Sequence, residues 1–156
     1  MVANTNARTY RPSVRAVYLV SCVSRKRASP ALAKDLYVSD WFLKARRYVE
    51  ATGCPWFILS AKYGLVAPER VIAPHEQMLN TVGVATRRAW AIQVQAQMAE
   101  QLPATGRIVV LAGRRYREFL MDYLACRAGV VEVPAAGLRI GEQLSWLGRA
   151  PRGPSC

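Results

Sequence analysis

The single histidine of the chain, His75, stands between Pro74 and Glu76. An imidazole beside a carboxylate can do general acid–base chemistry: one group orients a water, the other passes a proton. The pair belongs to LSAKYGLVAPERVIAPHEQML, Leu59 to Leu79, which opens as the end of an apolar strand and then shows no helical pattern. Long connections in a compact domain are uncommon, and ordered ones are usually functional. The first half of the stretch adds Ser60, Lys62, Tyr63 and Gly64: a hydroxyl, a point charge for a phosphate, a ring for stacking and a turn.

These groups need a frame. Four apolar runs read as strands: Val14 to Ser21, Trp56 to Ser60, Arg107 to Ala112 and Val130 to Val133. Two of the runs are continuous rather than alternating, as strands covered on both faces are. Helical patterns separate them. Ser39 or Asp40 can cap a helix to about Ala51 that Gly53 stops. A long helix spans Thr86 to Leu102, with Trp90, Val94 and Met98 in a stripe. A third spans Tyr116 to Arg127, and a short last one spans Gly141 to Leu147. Alternating strands and helices specify an α/β domain, here a single three-layer domain around a mainly parallel four-stranded sheet. The domain covers residues 14–149, between a flexible basic arm, 1–13, and a flexible tail, 150–156.

In such sheets ligands bind outside the carboxyl ends of the strands. Each strand end here leads into Ser or Gly together with cations. The first gives Ser21, Cys22, Ser24 and Lys26, the second Ser60 to Gly64, and the third Gly113, Arg114 and Tyr116. The fourth leads to Gly137, Gly141 and Gln143, with Trp146 close by as a stacking residue. Arginines 114, 115 and 117 at a helix start oppose the macrodipole, an arrangement that an anion between them would relieve. Tyr37 and Ser39 fit a helix cap with an aromatic packed beneath. A nucleophilic Cys22 would need His75 as its base, and no spacing selects a third partner.

The charge balance points the same way. The chain has 22 Lys+Arg against 10 Asp+Glu, and 18 of the basic residues are Arg. Base bias in the coding DNA explains Arg over Lys but not the shortage of acids. The guanidinium fork matches phosphate oxygens, so the implied partner is a nucleic acid. The four cysteines fit no zinc pattern, and no metal or cofactor is expected. No run approaches the roughly 20 apolar residues that span a bilayer, and no leader pattern precedes the domain. Free thiols and a cytoplasmic protein are the expectation.

Ordered along the chain, the motifs resemble a small bacterial and phage domain family. They are Ser21-Cys22 with Lys26; Leu36, Tyr37, Ser39 and Phe42; and Trp56 through Leu65. Ile72, Pro74 and Leu79 follow, then Leu111, Ala112, Gly113 and Tyr116, and Gly137, Leu138, Ile140, Gly141, Gln143, Trp146 and Leu147. Where that pattern commonly has Pro-Tyr-Asp, this chain has Pro74-His75-Glu76.

The family is similar to uracil-DNA-glycosylase-like folds, to a domain of archaeal tRNA base-exchange enzymes, and to a phage-restricting glycosylase of modified DNA. The resemblance implies a DNA glycosylase that excises a modified base, in defence against phages with modified DNA. Glu76 would then orient water or stabilise the oxocarbenium-like sugar, and His75 would donate to the leaving base or a phosphate. Lys26 and Lys62 would clamp phosphates, Tyr37, Tyr63 and Trp146 would flank a flipped base, and Gln143 would read an edge. Two alternatives stand beside it: a nucleic-acid-binding module without catalysis, and an enzyme processing tRNA bases or nucleosides.

Overall fold

A computed structural model describes residues 13–22, 26–149, 151, 155 and 156. Ser24, residues 1–12 of the expected arm, and residues 150 and 152–154 of the expected tail lie outside the described residues. Strands are β1 (Val17–Ser21), β2 (Ala31–Leu32), β3 (Trp56–Ser60), β4 (Gly64–Val66), β5 (Val71–Ile72), β6 (Arg107–Leu111) and β7 (Val130–Glu132). Helices are α1 (Ala33–Leu36), α2 (Asp40–Thr52), α3 (Val84–Gln101), α4 (Arg114–Arg117), α5 (Met121–Arg127) and α6 (Ile140–Leu147), with a 3-10 turn at Leu79–Thr81.

The four expected strands form the parallel part of the sheet, in the order β3-β1-β6-β7. β1 is central, and all five of its residues are buried. The sheet nevertheless has five strands. β4 pairs antiparallel with β3 at the edge, in the register Ser60↔Gly64 and Ile58↔Val66. The segment from Ala61 to Tyr63 is therefore a hairpin turn, closed by Tyr63 N donating to Ser60 Oγ at 3.2 Å. Further on, β5 pairs with β2 in a separate two-stranded ribbon. What reads as a loop in the sequence is about one-third β-structure, because three-residue and two-residue strands carry too little periodicity to be seen.

Gly64 has φ of 75°, a left-handed conformation natural to glycine after a three-residue hairpin turn. A Cβ there would collide with Gln97 Oε1. Gln97 reaches from α3 to accept from Leu65 N at 2.8 Å and to donate to Tyr63 O at 3.0 Å. Gly64→Ala is therefore expected to cost about 1–3 kcal/mol, from backbone strain and from breaking this staple. A urea titration against the wild type measures it.

The capping of α2 follows the sequence: Ser39 accepts from Phe42 N at 3.2 Å, and Gly53 ends the helix with φ of 70°. α2 packs on β1 and against α6. Right-handed crossovers send α3 and α5 to the opposite face. There Arg87, buried, bonds Glu118 at 2.7 Å, and Trp90 Nε1 donates to Ser60 O at 2.8 Å. The expected helix from Tyr116 to Arg127 is divided at Glu118–Leu120 into α4 and α5, while Tyr116, Leu120 and Leu124 still face the core.

The thiols require a correction. Cys54 and Cys156 form a disulfide, so two of the four cysteines expected to be free are bonded. Cys156 N also donates to Thr52 O at 3.0 Å, which ties residue 156 to the end of α2. Cys22 and Cys126 are free, the first buried and the second exposed.

Candidate functional site

From β1 the chain runs to β3 on one side; from β6 it runs to β7 on the other. The neighbours β1 and β6 thus send their connections in opposite directions. That is the switch point at which open α/β sheets bind ligands. A cavity of about 250 Å³ opens there. The end of β1 supplies Ser21 and Cys22, and the end of β6 supplies Gly113 and Tyr116. The stretch after His75 supplies Met78 and Asn80, α2 supplies Trp41, and α6 supplies Ile140 and Gln143.

The walls divide by chemistry. Trp41, Met78 and Ile140 offer apolar surface, and the other side chains offer donors and acceptors in fixed positions. Gln143 is held at both ends: Oε1 accepts from Trp41 Nε1 at 2.9 Å and Nε2 donates to Leu138 O at 2.9 Å. One N–H and one lone pair are left for a ligand. A slot of this kind suits a planar heteroaromatic ring with a polar edge, and its volume falls just under the range of about 300–1,000 Å³ typical of drug-sized ligands.

Behind the cavity lies a buried polar network. Tyr116 Oη is 3.5 Å from Cys22 Sγ, and the Tyr37 side chain also bonds Cys22. Tyr37 Oη is in turn 3.1 Å from His75 Nε2, with Ser60 Oγ 3.4 Å from the same nitrogen. Burial pushes both phenols well above the ordinary tyrosine value, so Tyr37 and Tyr116 keep their protons as donors. Burial also lowers the pKa of His75, assisted by the charges of Lys26 and Lys62, against opposing effects of the Gln77 backbone and Glu76. Its Nδ1 is buried and makes no well-formed hydrogen bond among the described residues, although the Gln77 backbone lies close enough to favour the charged ring.

The sign of the resulting pH dependence is fixed. A histidine whose folded pKa lies below the unfolded 6.5 is protonated first in the unfolded chain. Its effect on stability is nil above that value and becomes unfavourable as pH falls below it. The urea midpoint is expected to drop between about pH 7.5 and about pH 5, and to drop less in His75→Asn.

The structure gathers the expected site residues into three groups. Ser21, Cys22, Tyr116 and Gln143 line the cavity. Tyr37, Ser60 and His75 lie beneath it; with Tyr37 wholly inaccessible and His75 only 8% exposed, they support the wall instead of touching a ligand. Arg114 lines an adjoining chamber. The remainder is elsewhere. Tyr63 packs edge-on against His75, with Lys62 and Arg70 over its ring and its hydroxyl on Ala73 O. Gly64 is buried under Gln97, Lys26 forms a β-bridge with Tyr37, and Glu76 is exposed and absent from the cavity lining. Trp146, expected to stack on a base, packs on Tyr48 with centroids 4.7 Å apart.

Trp41, Met78, Asn80 and Ile140 are lining residues that sequence reasoning missed. A signal for two of them existed: Met78 follows His75 in the same stretch and Asn80 comes directly after its end, where a small amide can orient a water.

A model of the DUF6884 family, described as a family of unknown function, matches residues 17–149. The chain belongs to that family. The matched region includes every strand end that builds the cavity and the whole network behind it. No curated protein matches the chain. Among the described residues, no group of His, Cys, Asp and Glu could hold a metal ion, and no helix is long and apolar enough to cross a membrane.

Proposed function

We propose that this family member is a DNA glycosylase with a uracil-DNA-glycosylase-like fold, excising a modified base flipped into the cavity at the β1/β6 switch point. The observation that carries the reading is that cavity: sized for one ring system, mainly apolar with a few hydrogen-bonding groups, in a chain with net charge +12. Trp41, Met78 and Ile140 provide the faces against which a base lies. Ser21, Tyr116 and Gln143 read its edge.

Hydrolysis breaks the bond between C1′ and the base nitrogen. A water oxygen bonds to C1′ and gives up one proton, and the departing nitrogen takes up one. Asn80, which lines the cavity, is the side chain that would hold that water, and Glu76, exposed four residues before it and outside the lining, would act only from the rim. His75 acts through Tyr37 and Cys22, as a positioning residue for the donors that meet the leaving base. Modified phage DNA is the substrate class that the resemblance favours. A DNA substrate places the work in the cytoplasm, where Cys54 and Cys156 would spend much of their time reduced.

One observation favours a second reading. Among the described residues no carboxylate lines the cavity, as would suit a binding module that reads an extruded base without cleaving it. The test incubates the protein with glucosylated, hydroxymethylated and deaza-modified DNA, with matching free nucleosides and with tRNA, and measures released base by mass spectrometry. Release from DNA is expected, and Asn80→Ala or Glu76→Gln should slow it by about 10²–10⁴-fold if that side chain holds the water. Tight, salt-sensitive DNA binding with no base released from any substrate would establish the module instead.

A further inference from the structure

Beside the first cavity is a second chamber of about 120 Å³ that shares Trp41, Gly113 and Gln143 as a common wall. Its remaining walls carry Arg114 and Arg117 on one side and the small turn Ala135 to Gly137 on the other. Neither arginine is salt-bridged to an acid among the described residues, whereas Arg46, Arg87 and Arg107 all are. Arg117 Nε is shut off from solvent, which sets the side chain's inner end beneath the surface, and among the described residues it has no hydrogen-bond partner. Two guanidinium groups with no acid among the described residues to balance them line one small chamber, and a bound anion would supply the missing charge. The chamber contains no acidic lining residue among those described, and its far wall is built from side chains too small to fill it.

We infer that this chamber is an anion subsite that takes a phosphate, with Arg117 as the principal ligand and Arg114 as a second, more exposed one. Resting on the function proposed above, the phosphate is one of the two phosphodiesters flanking the nucleotide whose base enters the first cavity. The shared wall couples the two: Gln143 touches the base side and the phosphate side at once. Sequence reasoning placed an anion near Arg114, Arg115 and Arg117 in general; the geometry selects Arg114 and Arg117 and leaves Arg115 exposed outside the chamber.

The test uses duplexes with a tetrahydrofuran abasic analogue, so no particular base need be known. In two further duplexes one flanking phosphate, on the 5′ or the 3′ side, is replaced by an uncharged methylphosphonate. Neutralising one of the two is expected to weaken wild-type binding about tenfold and to leave Arg117→Gln unchanged. Arg115→Gln, as control, should respond as the wild type does. Equal losses in wild type and Arg117→Gln, or no loss in either, overturn the subsite. Denaturation midpoints of the variants, with Arg117→Lys as the charge-preserving partner, separate loss of a ligand from loss of fold.

Inorganic phosphate provides an arm independent of DNA, read from the Arg117 Nε–H resonance. A phosphate-dependent shift of that resonance with no duplex binding retains the subsite and removes the DNA reading. Base release from DNA without coupling to either phosphate retains the DNA reading and removes the subsite.

Discussion

Gly113→Phe is expected to reduce base release and abasic-duplex binding by at least about a hundredfold while leaving the fold intact. Gly113 has φ −64° and ψ 161°, which any residue adopts. A Cβ built there meets no heavy atom within 4 Å. The position lines both the cavity and the adjoining chamber, so a phenyl ring occupies space that a ligand needs. Nothing in the core has to move, and the thermal midpoint should stay within about 4 °C of the wild type. Gly113→Ala, with a single methyl, should have a small fraction of the effect. Full activity in the phenylalanine variant would mean that the switch-point cavity is not where the ligand binds.

The second large effect concerns the disulfide. Cys54 and Cys156 are 102 residues apart, so the bond closes a loop of nearly two-thirds of the chain in the unfolded state. Reduction, or Cys156→Ser, is expected to lower stability by about 2–4 kcal/mol. The comparison is a urea titration with and without dithiothreitol, in which Cys156→Ser should show no dependence on the reductant. The cavity is built from β1, β6, α2, α6 and the stretch after His75, and neither cysteine belongs to its wall. Ligand binding by the folded protein should therefore survive reduction.

Much of the frame was legible because it rests on local signals. Apolar runs marked the four parallel strands, Ser39 and Gly53 marked the ends of α2, and the carboxyl-end rule located the cavity. Other features depend on residues distant in sequence. β4 is only three residues long, behind the Ala61–Tyr63 turn, and its pairing is secured by Gln97 from α3, more than thirty positions away. The disulfide could not be read from cysteines that fit no motif. The roles of the aromatic residues were exchanged for the same reason. Trp146 found Tyr48, and Trp41 reached the cavity wall through a bond to Gln143 on another helix. Tyr37, Ser60, His75 and Cys22 were each singled out on separate grounds; the fold joins them into one network, and the burial of the first three makes them the support behind the wall instead of ligands.

Trp41 also gives the molecule an optical probe. Of the four tryptophans, Trp56 and Trp90 are core residues, Trp146 is packed on Tyr48, and Trp41 alone among them lines the switch-point cavity. A heteroaromatic ring entering that space would lie within reach of one indole and leave the other three in unchanged surroundings. Quenching of intrinsic fluorescence, absent in Trp41→Phe, would report occupancy directly, so candidate bases can be screened one at a time on the unlabelled protein before any product is sought.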